Sequence, residues 1–172
     1  MNDRTFLPLN LAVLTVSDSR TEEQDTSGHF LKHAAEAAGH RVVAKNIIRD
    51  DIYQLRAVYS RWIADAAVHV IISSGGTGIT GRDCTPEAVK PLLDKEIAGF
   101  GELFRQVSLT EIGTSTVQSR AFGGVANGTF IFCLPGSPGA CRTAWEQILL
   151  PQLDNRTRPC NFAQLIPRLL EH

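Results

Sequence analysis

The sequence has almost no net charge. Seventeen Lys and Arg stand against 18 Asp and Glu among 172 residues, leaving −1 at neutral pH. Without an excess of cations, no long-range field draws the chain onto nucleic acid or anionic lipid. It also lacks any apolar run approaching the roughly 20 residues of a membrane span. The opening MNDRTFLPLN has no apolar core of signal-peptide length. The four cysteines, Cys84, Cys133, Cys141 and Cys160, form no C-x-x-C pair and match no zinc spacing, which reads as reduced thiols. Repeats, low-complexity tracts and interdomain linkers are missing too. These absences predict a soluble, cytoplasmic protein with no nucleic-acid or membrane partner. They also predict one domain over residues 1–172, with a short tail from about residue 155.

What is present is a globular composition, 43% apolar and 20% charged, enough to bury a real core. LNLAVLTV (9–16) is a continuous β-branched-rich run, the pattern of a strand buried on both faces. Asp25, Thr26 and Ser27 offer N-caps for a helix carrying Phe30, Leu31, Ala34, Ala35 and Ala38, with Gly39 at its end. RVVAKNII (41–48) is a second strand, and the stripe from Ile52 to Ala66 is the clearest helix. VHVIIS (68–73) is a third strand. Thr85-Pro86-Glu87 opens another helix, and residues 98–109 continue as helix. Residues 111–124 are ambiguous, and polar for an interior segment. Asn127-Gly128 signals a tight hairpin before a fourth buried strand that ends at Leu134. A helix with Trp145, Ile148 and Leu149 follows, and the tail carries little regular structure. The alternation predicts an α/β fold, a parallel sheet with helices on both faces.

The most informative stretch is ISSGGTGITGRDCTPEA (72–88). It follows the third strand, where open parallel sheets bind ligands. Gly76-x-Gly78-x-x-Gly81 matches a dinucleotide fingerprint literally, but it follows the wrong strand and its helix begins too late. Gly76 and Gly81 have P-loop spacing, yet Arg82 and Asp83 stand where Lys and Ser or Thr are required. The chemistry survives without either motif. Consecutive glycines expose amides for an anion nest, Arg82 adds a forked cation, and Asp83 can hold Mg²⁺ that meets a phosphate. That combination suits phosphoryl or nucleotidyl transfer. The alternative is a glycine-rich turn whose Arg-Asp pair caps the next helix. Asp50 lies past the second strand at the same sheet edge. Either it or Asp51 caps the 52–66 helix, and the other is spare. Ser17 and Asp18 end the first strand, and Pro135-Gly136-Ser137 end the fourth, on that edge also.

Other candidates carry bland readings. His29 and His33 sit four apart with no third ligand, which suits a solvated helix face. Cys84 at a helix start would favour a thiolate, but Asp83 opposes ionisation. Trp62, Trp145 and Tyr59 belong to core or interface. Arg156 and Arg158 suit either a solvated turn or a neighbouring subunit's ligand.

LTVSDS (14–19), SSGGTGITGRDCTPEA (73–88), GFGELFRQVSLTEIGTSTVQSRA (99–121), LPGSPGACRTAWEQIL (134–149) and LDNRTRPCNF (153–162) together resemble the molybdopterin-binding family of molybdenum cofactor biosynthesis. The similarity runs over about nine-tenths of the chain. It implies a three-layer α/β/α fold that assembles into homo-oligomers, trimers or hexamers. It implies molybdopterin, a pterin dithiolene with a terminal phosphate, as ligand. In active members it implies Mg²⁺-dependent adenylylation of molybdopterin by ATP with release of pyrophosphate; the alternative is a non-catalytic carrier. It further implies that Gly75, Gly76, Thr77 and Gly78 line the phosphates and that Asp83 and Asp50 are the essential aspartates holding the metal. Ser119 and Arg120 would lie near the substrate, and Pro135 to Pro138 would form a second ligand loop. Other enzymes of the same pathway are further candidate partners.

Overall fold

The computed structural model describes residues 4–171. Its first half alternates strand and helix: β1 (Asn10–Val16), α1 (Thr26–Ala37), β2 (Arg41–Ile48), α2 (Ile52–Ala64) and β3 (Val70–Ser74). The second half holds α3 (Thr85–Val89), β4 (Lys95–Glu96), α4 (Ala98–Ile112), β5 (Phe122–Ala126), β6 (Thr129–Leu134) and α5 (Pro138–Ala144). From α5 the chain passes through a π turn (Trp145–Leu149) into α6 (Leu150–Leu153). Among the described residues no helix is long and apolar enough to cross a membrane.

The six strands lie in the order β2-β1-β3-β6-β5-β4. β2, β1, β3 and β6 run parallel, while β5 and β4 add an antiparallel edge. Strand alternation splits the apolar residues between two cores. Leu11 and Val13 point to the face covered by α1, α4 and α5, with Leu31, Phe104 and Trp145. Ala12, Leu14 and Val16 point to the face covered by α2 and α3, with Leu55, Tyr59 and Trp62. The result is the three-layer α/β/α arrangement, with the carboxyl ends of four parallel strands on one rim.

Local chemistry explains most boundaries. Asp25 caps α1 by accepting from Gly28 N at 2.9 Å. Asp51 caps α2, accepting from Tyr53 N and Gln54 N at 2.9 and 2.8 Å. α2 stops at Ala64 rather than Ala66, because Asp65 turns the chain by accepting from Ala67 N at 2.9 Å. The hairpin at Asn127-Gly128 forms as its residue types demand, both with positive φ (47° and 80°).

The ambiguous segment 111–124 resolves into the end of α4, a 3₁₀ turn (Gly113–Gln118) and β5. β5 escapes a propensity reading because two of its five residues are glycine. They are needed for close approach: a Cβ at Gly124 would lie 2.6 Å from Leu93 and one at Gly123 2.9 Å from Phe132. The tail has only a 3₁₀ turn (Ala163–Arg168), as its prolines suggest, yet Phe162 packs against Phe130 and Phe132 with ring centroids 5.0 and 5.5 Å apart.

Candidate functional site

The loop after β3 is folded tightly onto its neighbours. Gly75 has φ +105°, and a Cβ there would sit 2.1 Å from the Val16 carbonyl oxygen. Its amide donates to Leu134 O at 2.9 Å, so β1, β3 and β6 converge on this residue. That engagement removes Gly75 N–H from any anion nest; the donors left for a ligand begin at Gly76. Gly76 also has positive φ (69°), and its Cα faces Thr85 Oγ1 and Asp50 Oδ1. The Thr85 hydroxyl returns to Gly75 O at 2.9 Å and fastens the loop to the start of α3. α3 begins four positions after Gly81, too late for a dinucleotide fingerprint.

Arg120 is a loop clamp rather than a free substrate cation. Its Nε donates to Gly78 O at 2.7 Å, and NH2 donates to Asp83 O at 3.2 Å. The same guanidinium pairs with Glu87, which holds the Glu87 carboxyl below its ordinary pKa. Its backbone N–H donates to Thr77 O at 2.9 Å. Five donors in a rigid fork let one side chain do all this.

On one side of the loop lies an open acidic groove of about 670 Å³, lined by Asp18, Arg49, Asp50, Tyr53, Arg82 and Cys84 among others. Asp51 takes the capping role, so Asp50 is the spare carboxylate. Asp50 Oδ1 is buried and has no hydrogen-bond partner. Burial raises its pKa, and the neighbouring charges of Asp18 and Asp83 push it further up against a smaller opposing pull from Arg82. Asp18 pairs with the exposed Arg82 guanidinium and accepts from Asp50 N at 3.2 Å. Asp83 turns partly into its own loop, with Oδ2 accepting from Thr80 N and Thr80 Oγ1 at 2.8 and 2.7 Å. Burial opposes its ionisation, but these bonds, the Gly78 amide and Arg120 outweigh it and lower the pKa. Asp83 therefore does not cap α3; Cys84 occupies that position and gives no side-chain cap. The Cys84 thiol is pushed up to about 11 by burial, then by Asp50 and Asp51 before Glu87 and Asp18. Its carboxylate opponents are those, rather than its sequence neighbour Asp83.

On the other side lies a half-enclosed hollow of about 280 Å³. Thr77, Gly78, Ser119, Pro135 and Ser137 line it, so the two ligand loops share this wall. Gly136 touches Gly75, with its Cβ position 3.3 Å from Gly75 Cα, and its carbonyl accepts from Ser27 Oγ at 2.8 Å. Ser137 caps α5 through Ala140 N at 3.2 Å. Ser17 is occupied in a turn, accepting from Ser19 N and Arg20 N at 3.3 and 3.1 Å. The hollow's far wall is α4 and the turn after it, with Phe104, Ser108, Glu111 and Ile112. Those residues, with Thr143, Arg49 and Tyr53, were not singled out from the sequence. The available signal was the unexpected polarity of 111–124.

Asp18 and Asp83 stand close enough to raise the Asp50 pKa, and Asp50 has an orphaned oxygen. Among the described residues no group of three His, Cys, Asp or Glu is arranged to hold a metal ion. A cation such as Mg²⁺, which takes one or two carboxylates beside phosphates and water, would meet Asp50 and Asp18 in the groove. His29 pairs with Glu22 at 3.0 Å on an exposed face, as a non-ligand would.

The chain and its doubly covered sheet have counterparts among known proteins. The family model described as "Probable molybdopterin binding domain" matches residues 12–155, and the chain belongs to that family. Among its relatives is molybdenum cofactor biosynthesis protein B of Escherichia coli (strain K12), 59% identical over 157 residues, 91% of this chain and 92% of that one. The protein of the same name from Bacillus subtilis (strain 168) is 42% identical over 147 residues, 85% and 86% of the two chains. A crystal structure of molybdenum cofactor biosynthesis protein B superposes with TM-score 0.84 at 44% identity, covering 87% of this chain and 94% of that one. The tungsten cofactor synthesizing protein MoaB from Pyrococcus furiosus superposes with TM-score 0.75 at 36% identity, covering 83% and 91%.

Proposed function

We propose that this protein acts in molybdenum cofactor biosynthesis, binding molybdopterin and adenylylating it with Mg-ATP. The observation that carries the reading is the buried, unpartnered Asp50 oxygen, crowded by Asp18 and Asp83 beside a glycine loop. A site that concentrates negative charge next to bare amides is incomplete without a cation and a polyanion. Family membership supplies the pterin, and the molybdopterin biosynthesis names of the relatives supply the pathway.

In this reaction an oxygen of the molybdopterin phosphate attacks the α-phosphorus of ATP. A new P–O bond forms, and the bond to the bridging oxygen breaks as pyrophosphate leaves with its electron pair. No side-chain nucleophile is needed; positioning and charge neutralisation are what the protein supplies. Amides of Gly76 and Thr77 orient phosphate oxygens, and exposed Arg82 exchanges Asp18 for them. Asp50 and Asp83 hold the metal. Magnesium, when bound, neutralises oxygens of the triphosphate. Exposed apolar side chains on α4 and the turn after it (Leu103, Leu109, Ile112, Val117) are available for self-association, with trimer or hexamer the proposed state.

The test is pyrophosphate release from purified protein with molybdopterin and Mg-ATP. Asp83→Asn should lower turnover far more than it weakens pterin binding; equal losses would remove Asp83 from the chemistry. One observation favours a second reading, a non-catalytic molybdopterin carrier: Asp83 already satisfies one oxygen within its own loop. A carrier would bind molybdopterin and release no pyrophosphate with any divalent metal.

A further inference from the structure

We infer that Glu111 is a specificity-determining residue that reads the 2-amino-4-oxo edge of a pterin ring held in the 280 Å³ hollow. The inference rests on the proposed pterin ligand and goes beyond it by assigning which group recognises the ring and where the ring lies. Four observations carry it. The hollow is half-enclosed and combines apolar wall groups, Phe104, Ile112, Pro135 and Ala140, with polar ones, a lining that can take an aromatic ring bearing polar edges. It adjoins the glycine loop through Thr77 and Gly78, so a ring there leaves its phosphate-bearing arm within reach of the amides. Glu111 lines it and is the one carboxylate that does so. Finally, the carboxylate has a buried partner: Oε2 lies 2.6 Å from Thr143 Oγ1, closer than the Gly139 carbonyl oxygen at 3.0 Å that competes for the same hydroxyl proton.

The chemistry of the match is specific. The 2-amino-4-oxopteridine edge presents a ring N–H and an exocyclic N–H side by side, pointing the same way. A carboxylate offers two acceptors with the same spacing, as it does to an Arg fork. Thr143 engages Oε2, which leaves Oε1 and the second lone pair of Oε2 for the ring. The placement has no local structural reward. Glu111 lies in the last turn of α4, at the negative end of the helix dipole, where an acid is disfavoured. No basic residue stands in that turn to compensate.

The probes are pterin and lumazine, which share shape but differ at position 2, where lumazine carries an oxo group in place of the amine. Binding of each is followed by ring fluorescence, so the readout does not depend on adenylylation. Wild-type protein should bind pterin more tightly than lumazine by roughly 10- to 100-fold, the range for a hydrogen bond to a charged group. Glu111→Gln should lose most of that preference and keep its affinity for ATP and its circular dichroism. Thr143→Val, which frees the carboxylate without removing it, should reduce the preference only in part. Equal affinity of the wild type for both rings, no binding of either, or an unchanged preference in Glu111→Gln would overturn the assignment. Failure of pyrophosphate release with the preference intact would instead count against adenylylation and leave this site standing.

Discussion

Placing a single methyl group at position 75 tests whether the glycine loop is held against β1 by contact of bare backbone. In Gly75→Ala the new Cβ would fall 2.1 Å from the Val16 carbonyl oxygen, a distance real Cβ atoms essentially never show. Relief requires β1 or the loop to move by roughly 1 Å, which in a packed interior costs about 1–3 kcal/mol. The positive φ of +105° adds about 1–2 kcal/mol for any residue with a side chain. A loss of about 3 kcal/mol is therefore expected. With a urea m-value of about 2 kcal/mol/M, the denaturation midpoint should fall by about 1.5 M. Gly99→Ala is the control: this exposed glycine inside α4 has nothing within 4 Å of its Cβ position. It should gain about 0.5–1 kcal/mol from reduced chain entropy. A shift at position 75 below about 0.5 M in urea, or the same sign at both positions, would refute the packing argument.

Asp50→Asn should stabilise the protein near neutral pH while lowering pyrophosphate release. The sign follows from a raised pKa: a carboxylate that is harder to ionise when folded penalises the fold above its unfolded value and ceases to as pH falls. Urea midpoints of variant and wild type should converge as the pH approaches the ordinary carboxylate value of 3.8. Lys45→Met should cost roughly 3–5 kcal/mol in thermal or urea melts, because it strands the fully buried Asp25 carboxylate that Lys45 Nζ meets at 2.8 Å. Thiol labelling at pH 8 should be fast at exposed Cys160 and slow at Cys84, whose pKa of about 11 leaves about a thousandfold less thiolate than thiol. Rapid modification of Cys84 would show that burial and its carboxylate neighbours do not hold the thiol protonated.

The parallel half of the sheet could be read directly, because strands buried on both faces are continuous apolar runs and their helices carry plain caps. Residue type narrowed the caps to Asp25, Thr26 or Ser27 for α1 and to Asp50 or Asp51 for α2. The antiparallel edge was hidden by the same glycines that let it pack, since Gly123 and Gly124 have no side chain to announce a strand. On the candidate site, residue types pointed to the loop and its aspartates, while the choice between Asp50 and Asp51 stayed open until the structure gave the cap to Asp51. What spacing could not supply was partner choice. Arg120 is bound to Gly78, Asp83 and Glu87 across the loop, and Asp83 to Thr80. Glu111 meets Thr143 from 32 positions away, a distance no local pattern encodes.

The clamp formed by Arg120 also sets an order of events. Gly78 receives its bond from a side chain 42 positions later in the chain. As the polypeptide leaves the ribosome, the glycine arm stays slack until the segment carrying Arg120 has been made and docked. The same closing third supplies β6 beside β3 and the side chains of Phe130, Phe132 and Trp145 to one core, so a copy cut short before it would lose sheet, core and clamp together.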